Sequence, residues 1–349
     1  METESDNTLK GIATPLLTWY SQNARTLPWR ENTDPYRVWV SEIMLQQTQV
    51  DTVIPYYIRF LAQVPTIRAL AEMDEAQLLK LWEGLGYYSR ARNLQKAAKA
   101  IMTRHSGCFP AKLSDILALP GIGVYTAGAI ASICFEQAVP AVDGNVLRVV
   151  ARLTGSDADI ASPRVKSDIA EMLRAIYPDM RRGDFTQSLM ELGATVCLPN
   201  GPPKCAGCPV STLCRAFAEG TQLSLPVKEK KKPRKKEEKT VFVLLCGDKL
   251  AIRQRENSGL LGGLWELPNV DGALSVGQAE QILHGWGMTD YSLKKGRRKK
   301  HIFTHIEWHM SSYTVACGNM PEAFFWVTRE SLNAEIAMPS AFLTFLSGM

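Results

Sequence analysis

Leu119-Pro120-Gly121-Ile122-Gly123, running straight into Val124–Ser132, decides how the first two-thirds of the chain fold. Two glycines two positions apart let the backbone turn tightly and leave amides pointing outward where a helix starts. Such amides suit a phosphate oxygen, held directly or through a bound monovalent or divalent cation. Pro120 and the small Ala127, Gly128 and Ala129 let two helices pack closely around the turn. A Gly-x-Gly turn alone usually does no more than connect helices. The leading Leu-Pro and the trailing Ala/Gly-rich helix are what raise this one above a connector.

Outward from the turn, residues 8 to about 218 read as helix after helix. Apolar positions recur at helical spacing in Trp39-Ile43-Leu45-Val50, in Leu78-Leu81-Trp82-Leu85 and in Ile130-Ile133. Breaks fall at Pro65, Gly84-Leu85-Gly86 and Phe109-Pro110. In that setting, residues 113–132 match a helix-hairpin-helix DNA-binding element. From Pro226 to Lys239 the composition switches to Lys, Glu, Pro and Arg, the mark of an exposed tether. Beyond it the period changes: Thr240–Cys246, Lys249–Gln254, Ile306–Ala316 and Phe324–Val327 read as strands, with a helix over Val276–His284. The expected organisation is a helical domain over 1–225, a basic linker over 226–239 and a mixed domain over 240–349. No internal repeat is visible.

Length supports this division, since 349 residues exceed one ordinary core. The longest apolar runs, such as Val241–Leu245, are far too short to cross a bilayer, and Met1-Glu2-Thr3-Glu4 opens no secretory signal. A cytosolic protein with no membrane partner is expected. The net charge of +5 is mild, but Lys228–Lys239 holds eight basic residues and Lys294–Lys300 is basic everywhere except Gly296. Such blocks attract polyanions; charge alone slightly favours a solvated linker and a solvated loop. Of eight cysteines, Cys197, Cys205, Cys208 and Cys214 crowd together, which in a reducing compartment marks a metal or cluster site. Cys108, Cys134, Cys246 and Cys317 are expected to be plain buried thiols.

Two carboxylates stand out. Asp143, in Val142-Asp143-Gly144-Asn145-Val146, precedes an apolar helical stretch, where it would cap free amides. Taken alone, a cap explains it, although the same carboxylate could face positive charge developing on a sugar. Glu42 lies among Trp39, Val40, Ile43 and Leu45. Apolar surroundings disfavour its charged form and would let it act as an acid near neutrality. The polar edge of an amphipathic helix is the commoner place for a helical Glu. Gln46-Gln47-Thr48 directly after it shift the reading, because neighbouring amides suit hydrogen bonds to base edges.

The order Leu-Pro-Gly-Ile-Gly, Val-Asp-Gly-Asn-Val, then a cysteine cluster resembles the endonuclease III superfamily of base-excision glycosylases. The resemblance implies a helical fold whose hairpin, at Gly121 and Gly123, grips the DNA strand while an aspartate, here Asp143, serves glycosidic cleavage. It also implies a 4Fe–4S cluster on cysteines spaced C-x6-C-x2-C-x5-C. This chain has Cys197-x7-Cys205-x2-Cys208-x5-Cys214, so the later intervals match and the first is one residue longer. Four thiolates also suit zinc; the resemblance favours iron and sulfur. Members that cut the strand carry a nucleophilic Lys two residues after the second hairpin glycine, where this chain has Tyr125. Excision without efficient strand cleavage is therefore expected.

Trp39–Val50 resembles the active-site helix of the MutY family, the adenine DNA glycosylases. By that resemblance Glu42 protonates adenine and Asp143 steadies the sugar, with Tyr125 and Asn145 positioning it. Trp29, Arg30, Leu45 and Gln187 line the adenine pocket, and Gln46, Gln47 and Thr48 meet DNA. Gly84–Arg90 resembles the family's wedge turn, placing Leu85 and Tyr87 against the lesion. Leu261–Pro268 resembles the Nudix fold, but aligning on Gly287 puts the magnesium carboxylate positions at Gln281, His284 and Gly285, so this domain should bind rather than hydrolyse. Its Phe303-Thr304-His305 matches the loop that in these glycosylases recognises 8-oxoguanine; without the resemblance, His305 reads as an ordinary strand-end histidine. The fold expected is thus multidomain: an all-α helix-hairpin-helix glycosylase domain with an iron–sulfur subdomain, then an α+β Nudix-like domain. Its substrate would be double-stranded DNA containing 8-oxoguanine·adenine mispairs, met as a monomer at a bacterial nucleoid. The rivals are a bifunctional pyrimidine-lesion glycosylase/lyase, a catalytically silent damage sensor and a nucleotide pyrophosphatase.

Overall fold

The computed structural model describes residues 9–229 and 233–347. These form two compact units, the first drawn from Met1–Glu72 and Asn93–Lys230, the second from Met73–Arg92 and Lys231–Met349.

The helices in chain order are α1 Ala13–Asn23, α2 Pro35–Leu45, α3 Val50–Gln63, α4 Ile67–Glu72, α5 Glu75–Leu81, α6 Ser89–Arg104, α7 Leu113–Leu117, α8 Val124–Phe135, α9 Gly144–Thr154, α10 Pro163–Arg174, α11 Arg182–Thr195 and α12 Arg215–Ala218. No helix among the described residues is long and apolar enough to cross a membrane. α2 starts where its sequence says it should: Asp34 accepts a hydrogen bond from the Arg37 amide at 3.0 Å, and Pro35 takes the first helical position. The first unit's core joins Leu16 of α1, Val146, Val149 and Val150 of α9, and Phe185, Leu189 and Leu192 of α11. α9 and α11 meet closely. A Cβ on Gly193 would stand 2.5 Å from the Asn145 Cβ.

The hairpin is α7, the Leu119–Gly123 turn and α8. Gly121 sits at φ 77°, and a Cβ there would meet the Asn93 Cβ at 2.6 Å, so the turn demands glycine at this position. Gly123 differs from expectation. Its φ of −93° is open to any residue and nothing lies within 4 Å of where a Cβ would stand, so the turn itself does not need a second glycine. Gly128 packs as expected, a Cβ there falling 2.3 Å from the Pro140 carbonyl oxygen.

In the second unit the sheet order is β3-β2-β1-β6-β5, with β4 on β1 and β7 on β2. The strands are β1 Lys235–Cys246, β2 Lys249–Gln254, β3 Trp265–Glu266, β4 Asn269–Asp271, β5 Tyr291–Ile302, β6 Ile306–Cys317 and β7 Phe325–Thr328. The remaining helices are α13 Val276–Gly285, α14 Arg329–Glu335 and α15 Ser340–Leu343. β1 and β6 run parallel, in register from Lys235↔Ile306 to Leu245↔Ala316, and the other pairs are antiparallel. Strand alternation sends Val241 and Val243 to one core with Trp308 and Phe342, and Phe242 and Leu244 to another with Tyr313 and Leu283.

Three expectations are corrected. The tether stops early, because Lys235–Lys239 already belong to β1 and pair with β6, Lys239 with β4 as well. Before it, Val227 accepts from the Ile160 amide at 3.1 Å, so this stretch is held to the first unit; Lys230–Lys232 lie outside the described residues. The basic block Lys294–Lys300 lies within strand β5, not in a loop. Cys108 is exposed rather than buried.

Candidate active site

α2, the first turns of α8 and α9, α11 and a tight turn at Pro28–Arg30 enclose a cavity of about 350 Å³, within the range of small-molecule sites. Glu42 reaches it from the inner face of α2 and is almost fully buried. Tyr125, one residue into α8, donates its hydroxyl to Glu42 Oε2 at 2.7 Å. Burial pushes the Glu42 pKa up to about 7; the Tyr125 hydrogen bond works against that rise and the Asp143 charge works with it. Burial also raises the Tyr125 pKa well above the phenol value, which keeps the hydroxyl protonated and able to donate.

Asp143 combines both of its readings. It is the N-cap of α9, accepting from the Val146 amide at 2.8 Å, and it lines the same cavity as Glu42. Asn145 Nδ2 donates to its other oxygen at 2.8 Å. Burial raises the Asp143 pKa, opposed by these two hydrogen bonds. Asn145 is held in turn by Arg148, which donates to Asn145 Oδ1 at 2.8 Å and to the carbonyls of Gly193 and Cys197 at 2.8 Å each.

Trp29, Arg30, Leu45 and Gln187 line this cavity, and Gln46, Gln47 and Thr48 lie at its rim. Gln47 has φ 58°, a left-handed conformation uncommon for a non-glycine residue. Sequence reading missed Glu191 and Arg25. Glu191 is completely buried, with Arg25 at 2.6 Å and Arg30 at 2.8 Å. Burial alone would raise its pKa, but these two guanidinium groups outweigh that and hold it below the usual range. The ion triad fixes Arg30 at the cavity wall.

The four clustered cysteines ring a second cavity, of about 30 Å³, walled also by Arg152 and the α9–α11 core. All four reach it, so the extra residue between Cys197 and Cys205 is absorbed in the loop. Arg152 donates to Cys197 Sγ at 3.2 Å and to the Leu198 carbonyl at 2.9 Å, placing positive charge beside the sulfurs. Among the described residues no three His, Cys, Asp or Glu side chains converge as one metal ion would need.

In the second unit, Tyr87 and the 303–305 loop share a cavity of about 550 Å³. Tyr87 has φ 48°, its hydroxyl lies 2.9 Å from Thr304 Oγ1, and Arg90 stacks 5.4 Å from its ring. Thr304 and His305 are exposed at the tip between β5 and β6, while the Phe303 ring packs on Trp308 at 4.8 Å. Leu85 is buried at 6% exposure and is absent from the lining of this cavity. On α13, Gln281, His284 and Gly285 are exposed.

The HhH-GPD superfamily of base excision DNA repair proteins matches residues 40–175, and a NUDIX domain matches residues 240–348. The chain is 37% identical to the adenine DNA glycosylase of Mus musculus, over 88% of this chain and 70% of that protein. It is 34% identical to the adenine DNA glycosylase of Buchnera aphidicola subsp. Schizaphis graminum, over 84% of each. A solved thermostable thymine-DNA glycosylase matches with a TM-score of 0.56 at 26% identity, covering 62% of this chain and all of that one. A non-covalent endonuclease III–DNA complex matches at 0.53 and 21% identity over 64% of this chain, a likeness of fold alone. With both domains matched in order, and relatives above 30% identity aligned over most of their own length, the chain belongs to the adenine DNA glycosylases, base-excision repair enzymes of the HhH-GPD superfamily.

Proposed function

We propose that the enzyme hydrolyses the N-glycosidic bond of adenine paired with 8-oxoguanine or guanine, as a monomer on double-stranded DNA and without cutting the strand. One observation carries the reading: a buried carboxyl titrating near neutrality shares a base-sized cavity with a second carboxylate fixed at a helix start. Adenine flips out of the stack into that cavity. Glu42 donates its proton to adenine N7, and the electron pair of the bond to the sugar leaves with the base. Asp143, held by Asn145 and the Val146 amide, stabilises the positive sugar. The Glu42 carboxylate, still hydrogen-bonded to Tyr125, then takes a proton from the attacking water. With a phenol at position 125 instead of an amine, no Schiff base forms there.

Flanking phosphates sit on the amides of the Gly121–Gly123 turn, directly or through a cation. Tyr87, Thr304 and His305 read the 8-oxoguanine. Cys197, Cys205, Cys208 and Cys214, which line one cavity, would hold a 4Fe–4S cluster, whose irons take four thiolates. When bound, the cluster supplies rigidity and local charge to the 197–214 loop.

Single-turnover assays on duplexes holding 8-oxoguanine·adenine, guanine·adenine and thymine-containing pairs test the reading. Free adenine should be released, fastest opposite 8-oxoguanine. Glu42→Gln should slow release by about 10²–10⁴-fold while mispair affinity changes little. Release of a pyrimidine, or a covalent complex trapped by borohydride, would refute it.

A further inference from the structure

We infer that the bulged edge strand β5 forms a second DNA-backbone contact, taking phosphates of the duplex away from the lesion. The inference rests on the reading above that duplex DNA is the substrate. β5 ends the sheet, and every residue from Lys294 to Lys300 is exposed. In a regular strand residues three apart face opposite ways. A bulge between Lys295 and Arg298 changes that here. Lys295 opposes Tyr313, Arg298 opposes Ser311 and Lys300 opposes His309, alternate residues of β6, so the three cations share one face.

The bulge is built in. A Cβ on Gly296 would stand 2.4 Å from Ser312 Oγ, and that hydroxyl accepts from the Arg297 amide at 2.9 Å while donating to the Arg297 carbonyl at 3.1 Å. The cations line a groove of about 710 Å³ together with Ser275 and Ser311. Glu307 neutralises Lys300 at 2.9 Å, and Glu238 is the carboxylate in the lining. Lys295 and Arg298 make no ion pair among the described residues.

Lysines on edge strands also block unwanted strand pairing. Charge anywhere on the strand would meet that need. The bulge sets which cations meet the groove, giving Arg298 and Lys300 the face that Arg297 and Lys299 would take in a regular strand. Cations suit phosphate oxygens, and an open groove suits a polymer backbone.

The test is the salt dependence of the full-length protein's affinity for an undamaged duplex. Removing two phosphate contacts with Lys295→Gln/Arg298→Gln should lower the slope of log K against log salt by about 2 and weaken binding at least about tenfold at low salt. The charge-conserving Lys295→Arg/Arg298→Lys pair should keep the wild-type slope. Adenine release at saturating enzyme should stay at the wild-type rate in both. A folded double-Gln variant with an unchanged slope overturns the inference, and if that variant also self-associates on gel filtration, the row is edge protection. Wild-type enzyme releasing no adenine would instead defeat the proposed activity, which the slope does not report.

Discussion

Glu42 sits in a place that favours its proton, and this has a measurable cost to the fold. Its folded pKa of about 7 lies above the unfolded 4.5, so between those values the folded state binds more protons. Stability from this group is complete below about pH 4.5 and is lost as pH rises through about 7, a loss on the order of 3 kcal/mol. Glu42→Gln, which can still accept from Tyr125, should therefore inactivate the enzyme and yet raise its Tm. The gain should be near zero at about pH 4.5 and on the order of 1–3 kcal/mol at about pH 8, followed by thermal melts. Wild-type excision should decline as pH rises through about 7, checked by a single-turnover pH profile. Glu42 was legible because Gln46-Gln47-Thr48 directly follow a carboxyl set among Val40, Ile43 and Leu45. Glu191, in Leu189-Met190-Glu191-Leu192, has apolar neighbours too. It went unread because its meaning depends on Arg25 and Arg30, which lie 166 and 161 residues away along the chain.

Among the elements, α9 and α11 set the position of Asp143. Their contact at Gly193 leaves no room for a methyl group, and the atom it would strike belongs to Asn145, which holds Asp143. Gly193→Ala should cost about 1–3 kcal/mol of stability. Excision should fall by about 10²-fold through displacement of the carboxylate, with DNA affinity nearly kept. Single-turnover rates beside binding curves check it, and a rate at the wild-type level would show that α9 yields without moving Asp143. The helices were legible from their apolar period. β5 was not, because an exposed edge strand has little apolar face to alternate, and hydrogen bonds to β6 hold Lys294–Lys300 extended where side-chain pattern gives no hint. Likewise, that residues 73–92 pack with the C-terminal unit depends on contacts such as Lys80 Nζ to the Leu332 and Ile336 carbonyls, at 3.2 and 3.0 Å.

At the scale of the whole molecule, the cysteine ring ties the end of the helical unit to its core, since Cys197, Cys208 and Cys214 pack on the same cluster as α9 and α11. On the proposal that these cysteines hold a 4Fe–4S cluster, Cys208→Ser should lose iron and sulfide and lower the melting temperature, with excision falling in step with the folded fraction. Iron analysis alongside thermal melts measures both, and full iron content in the variant would exclude Cys208 as a ligand.

The parallel pairing of β1 with β6 bears on how the chain is made. Partners such as Thr240 and Ser311 lie 71 residues apart, so the middle of the sheet cannot zip up from a local turn. While a ribosome is still adding residues 272–305, β1 can already pair with β2 and β4 on one edge, but the edge of Val241–Leu245 that takes β6 must wait unpaired. The lysines and glutamates of 235–239, which begin that strand, keep its leading end charged through this interval. A nascent chain halted before residue 306 should therefore already hold a protease-resistant helical unit while everything after Lys235 remains open to digestion.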